Sequence, residues 1–274
     1  MKHIIELTEH PPVTSKSTWP LWVKEMDRLL RGDVTQLSTL RERGLQVTSD
    51  RLQIAIVLLG MTYGLCMGTY ALVKGDSSAF LQLLSGMVKV PALFLLTLLV
   101  TFPSLYVFNA LVGSRLTVVE LWRLLTSSVA LNMAVLASFG PIVAFFSLST
   151  TSYSFMLLLN VFMFTIAGML GLKFLLQTLH RLTIAQPKAD EPPPVIEASS
   201  ESISPLDKPD GQVLRPQVKL VFGCWVMAFA LVGAQMSWLL RPFLGVPNLA
   251  FSFFRSRESN FFEAVWHHFL HLFN

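Results

Sequence analysis

The chain has 274 residues, of which 53% are hydrophobic and only 14% charged, about half the ~25% usual in soluble proteins. Its charges are confined: stretches of 22, 25, 49 and 21 residues contain no Asp, Glu, Lys or Arg, and a helix needs roughly 20 apolar residues to cross a bilayer core. That excludes a soluble domain, and the formal charge of +4 then points to basic cytoplasmic segments rather than to nucleic acid.

In chain order, residues 1–51 form a polar segment with no apolar core of a cleavable signal peptide. Within it, 18–31 reads as an amphipathic helix. Trp19, Trp22, Met26, Leu29 and Leu30 lie on one face, and Lys24, Glu25, Asp27, Arg28 and Arg31 on the other. Thr18 is a suitable cap and Gly32 a suitable end. Such a helix either lies in the headgroup region or packs on other cytoplasmic helices. The first span is expected at 52–73 and the second at 90–113, joined by an outside loop at 74–89. The long apolar run breaks at the polar stretch Ser147–Ser154, which gives spans at 124–147 and 153–175. Residues 176–218 form a cytoplasmic loop whose Pro/Ser-rich part, 186–217, has the composition of a disordered linker. The fifth span is 219–240, and 241–274 is an aromatic amphipathic tail ending in a helix from about 261. The expected fold is therefore all-α, a polytopic transmembrane bundle of five spans with amphipathic interfacial helices at both ends. β-Barrel strands are excluded because the runs do not alternate polar and apolar. An N-terminus inside places 16 Lys and Arg on the cytoplasmic side and 5 outside, which leaves the C-terminus extracytoplasmic.

Several features inside the spans can carry packing or chemistry. Gly60, Gly64 and Gly68 recur every four residues and form a strip where another helix can approach closely, within the chain or from a second copy. Gly168 and Gly171 form a shorter strip. Asn109, Asn132, Asn160 and Gln235 fall one in each of spans two to five, and an amide in hydrocarbon is expected to face the bundle interior. Pro103 and Pro141 should kink their helices, since each removes a helix hydrogen bond. Cys66 and Cys224 lie in apolar runs and are expected as small buried hydrophobes. Apart from Lys173 and Lys219 at the cytoplasmic ends of their spans, no Asp, Glu, Lys, Arg or His falls inside the five expected spans, and proton-coupled transporters, pumps and voltage sensors need such residues there. Glu120 is expected as a solvated or interfacial charge.

Glu263, His267 and His271 recur every four residues in the tail, with His268 alongside. Two His and a carboxylate on one helical face could hold zinc or copper. The opposite face, Phe262, Val265, Trp266, Phe269, Leu272 and Phe273, equally describes an interfacial helix with its imidazoles toward water. Asn260 three residues before Glu263 resembles a helix-start capping box.

Residues 90–176 resemble Yip1-like membrane domains. The resemblance rests on Phe108-Asn109-Ala110-Leu111-Val112-Gly113, on Leu116-Thr117-Val118-Val119-Glu120-Leu121-Trp122 entering the next span, and on Pro141 within it. It implies a membrane-organising role and assigns no functional residues; the linker and aromatic tail depart from the family pattern. The expected function is a non-enzymatic scaffold or assembly subunit of a membrane complex, with no cofactor. Its expected setting is a lipid bilayer, a bacterial inner membrane, with a protein partner or homo-oligomer formed through helix faces or cytoplasmic segments. A passive transporter or channel with a kinked-helix polar path, and a metal-binding protein using the tail His stripe, are the alternatives.

Overall fold

A computed structural model describes residues 19–36, 47–73, 79–111, 117–185, 216–241, 243–244, 252–254 and 260–273. The linker expected at 186–217 lies almost wholly outside them, as do Thr18 and the side chains of Asn109 and Cys224. All regular structure among the described residues is helical: α1 (Leu21–Arg31), a 3-10 turn (Asp33–Thr35), α2 (Ser49–Val73), α3 (Ala79–Leu111), α4 (Val118–Ser149), α5 (Tyr153–Ala185), α6 (Pro216–Leu239) and α7 (Phe261–Phe273).

Helices α2 to α5 are each long and apolar enough to cross a membrane, which marks an integral, multi-pass membrane protein. The expected five qualifying spans reduce to four among the described residues. In α6 the described side chains form a shorter apolar helix, Trp225–Leu239.

Helix α2 lies between α3 and α4; α5 packs on α4, α6 on α3, and α7 on the start of α5. The α2–α3 seam is set by the glycine strip. Gly60 lies against Pro91, Gly64 against Gly86 and Met87, and Gly68 against Leu83. A Cβ at Gly64 would stand 2.5 Å from the Gly86 carbonyl oxygen, closer than any side chain tolerates. The strip therefore serves packing within the chain. On α5, Gly171 lies against Asn132 and Ser128 of α4, whereas Gly168 meets nothing within 4 Å.

The largest departure from expectation is α3, which begins at Ala79 and not near residue 90. Eleven residues assigned to an outside loop are helix, and Pro91 and Pro103 both lie inside it. A boundary drawn at the charge of Lys89 started the span too late. Helix α4 starts at a complete capping box: Thr117 Oγ1 accepts the Glu120 N–H, and the Glu120 carboxylate accepts the Thr117 N–H at 2.9 Å. Glu120 is thus a structural cap. Helix α1 begins at Leu21 rather than Thr18 and ends where Gly32 takes a left-handed φ of 79°. Cys66 is half-buried and reduced, with its sulfur facing Gly140.

Candidate functional site

Gln82, Ser85, Gly86 and Lys89 follow one another at helical spacing on a single face of α3. All three polar side chains are buried, Lys89 to 1% exposure, Ser85 to 3% and Gln82 to 5%. Lys89 stands ten residues after Ala79, which at ~1.5 Å per residue is about 15 Å along the helix. Lys89 therefore lies well inside a helix of 33 residues that is long and apolar enough to cross a membrane. The contacts Gly60–Pro91 and Gly64–Gly86 bracket Lys89 opposite the middle of α2. The expectation that no ionisable residue enters a span is therefore overturned.

The cover over this face comes from the far end of the chain. After α6, residues 243–244 and 252–254 pack against α3 as non-helical backbone. Gln82 Nε2 donates to the Phe243 carbonyl at 2.9 Å, and Lys89 Nζ donates to the Phe253 carbonyl. The same ammonium lies 4.6 Å from the centroid of the Phe253 ring and 5.7 Å from that of Phe254, within cation–π range. Non-helical backbone at membrane depth survives only where its polar groups are satisfied by protein. Gln82 and Lys89 supply two of those donors. Ser85 Oγ, one helical turn from Lys89, is buried without a hydrogen-bond partner. The covering rings are themselves 42% and 58% exposed.

A signal for this face existed in the sequence. Three polar residues spaced three and four apart, in a stretch otherwise as apolar as its continuation, describe one stripe of a helix.

The expected polar residues divide. Asn160 is buried, accepts the Tyr63 hydroxyl at 2.8 Å and donates to the Met156 carbonyl at 2.8 Å. Asn132 is buried, with Oδ1 lacking a hydrogen-bond partner. Gln235 does not face the interior. It is exposed on α6 and lines an open cleft of about 440 Å³ with Leu231, Val232, Met236, Trp238, Leu239 and Asn260. It escapes burial because α6 lies at the bundle's edge, against α3 through its Gly233 side.

In the tail, Asn260 Oδ1 accepts the Glu263 N–H at 3.0 Å and starts α7. The rings of His267 and His271 approach to 4.7 Å, yet no group of three His, Cys, Asp or Glu among the described residues is placed to hold a metal. The residue that docks is His268, which the stripe left aside. Its Nδ1 is hydrogen-bonded to Ser154 Oγ at 3.0 Å, and its ring packs edge-on against Tyr153. Burial, then the neighbouring His267 and His271, lower its proton affinity below that of an ordinary histidine.

At the opposite end, α1 is clamped by a buried carboxylate. Glu25 is 4% exposed, accepts the Thr48 N–H at 3.2 Å and lies 3.6 Å from Arg28. Met26 and Leu29 join the main core. Arg181 of α5 donates to the Thr35 carbonyl at 3.0 Å, which ties the 3-10 turn to the same end. No protein-family model, curated protein or solved structure matches the chain.

Proposed function

We propose that this integral membrane protein is a non-enzymatic scaffold or assembly subunit, with α1 as its partner-binding platform. We place it in a bacterial inner membrane, α1 cytoplasmic and α7 extracytoplasmic, in a membrane-organising role like that of Yip1-like proteins. One observation carries the proposal. Helix α1 lies outside the four apolar spans and is fixed to them by Glu25, Met26 and Leu29, yet Trp19, Leu21 and Leu30 stay more than half exposed. Trp19 and Leu21 at the start of α1, and Leu30 near its end, offer a partner apolar contact points at both ends of a charged helix. The test is purification of the tagged protein in mild detergent, followed by native mass measurement. A stoichiometric protein partner should appear, and the triple variant Trp19→Ala, Leu21→Ser, Leu30→Ser should lose it at unchanged thermal stability. A monomer or homo-oligomer, or a partner retained by the variant, would count against the proposal.

The polar face of α3 favours a second function, passive passage of a polar solute. It requires flux across liposomes that falls when Ser85 is replaced by Leu.

A further inference from the structure

We propose that Gln82, Ser85 and Lys89 form an intramembrane binding site for the anionic headgroup of a single-chain amphiphile, an alkyl carboxylate or alkyl phosphate, under a cover made by Phe253 and Phe254. The inference is independent of the assembly role assigned to α1.

Three observations support it. Lys89 places a buried cation level with the middle of α2, where charged side chains are costly and characteristically functional. Ser85, at the same helical face one turn away, holds a buried hydroxyl whose hydrogen-bonding capacity is unused. An anion seated between them would receive a charge-assisted bond from Nζ and the hydroxyl proton of Ser85, with Gln82 Nε2 as a third donor on the same stripe. The cover includes two half-exposed phenylalanine rings, in edge-to-face contact at 4.9 Å, and a carbonyl that Lys89 holds. Displacing that carbonyl by an anion exchanges a neutral acceptor for a charged one. The rings offer an apolar surface to a hydrocarbon tail, and at this depth a ligand arrives through lipid, so an acid that carries its own tail fits the approach.

The full-length protein in phosphatidylcholine nanodiscs should bind radiolabelled palmitate or dodecyl phosphate saturably, and methyl palmitate far more weakly. Lys89→Met should weaken binding by about tenfold or more, the loss of a charge-assisted bond. The substitution keeps side-chain length, and exchange of a buried cation for an apolar isostere is commonly tolerated. If it fails to fold, Ser85→Val decides, because it removes the unpartnered hydroxyl and should also weaken binding. Equal binding by wild type and a folded variant, equal binding of the methyl ester, or no saturable binding would overturn the proposal. Displacement by inorganic phosphate or acetate at equal concentration would overturn it too, since it would show a site open to water rather than to lipid.

Discussion

One methyl group distinguishes Gly64 from Gly168. At Gly64 it would press on the Gly86 backbone at 2.5 Å, and helix backbones cannot retreat as a flexible side chain can. Gly64→Ala should destabilise by about 1–3 kcal/mol, the usual cost of overpacking. Gly168→Ala should be neutral or stabilising by about 0.5–1 kcal/mol, because the space is open and alanine is the better helix former. Thermal unfolding in detergent checks both, and equal effects would contradict the assignment of the strip to the α2–α3 seam. Tyr63→Phe removes the donor to Asn160 and should cost about 1 kcal/mol, in line with interhelical hydrogen bonds in membranes. An unchanged melting temperature would show that Asn160 finds another donor.

At the scale of elements, most helices were legible because charge-free runs and their polar breaks coincide with the ends of apolar packing. The turn at 150–152 and the α4 start are examples, and Thr117 with Glu120 is a start signal of sequence-local origin. Thr117→Ala should cost about 1 kcal/mol, read as earlier fraying of α4 in hydrogen exchange. The start of α3 was not legible by the same rule. Lys89 looks like a boundary until its covering partner, Phe253, is known, and that partner lies 164 residues away. The site was legible only as a stripe; its cover is a long-range pairing without a local signature. The glycine strip was visible, but its use within the chain depends on Pro91, Gly86 and Leu83 arriving opposite it. In α7 the periodic His stripe drew attention to His267 and His271, while docking fell to His268. Its proton affinity is lowered in the docked state, so released α7 takes up a proton first. Docking is then strongest above about pH 6.5, the ordinary histidine value, and weakens as pH falls below it. A nitroxide at Phe262 should become more mobile between about pH 7.5 and 5.5, with His268→Gln flattening the response. Persistence of the full response in that variant would shift the effect to His267, His271 or Glu263.

Across the whole molecule, α5 measures the distance between α1 and α7. Arg181 near its end holds the turn that follows α1, and Ser154 near its start holds α7. The 27 residue steps from Ser154 to Arg181 correspond to about 40 Å of helix, more than the hydrocarbon thickness. Cysteines placed at Lys24 and Glu263 should therefore react with an impermeant maleimide from opposite sides of a sealed vesicle. Reaction of both from one side would overturn the transmembrane path of α5.

The cover of the α3 polar face has a consequence in time. Phe243 comes 161 residues after Gln82. At synthesis rates of about 5–20 residues per second, some ten to thirty seconds pass between the emergence of the two. Through that interval α3 is without the Phe253 carbonyl that accepts from Lys89. Nascent chains truncated before α6 should therefore remain beside the insertion machinery longer than chains carrying Lys89→Met. In this protein the C-terminal segment acts as the closing piece of assembly, and the helix most dependent on it is among the first to be made.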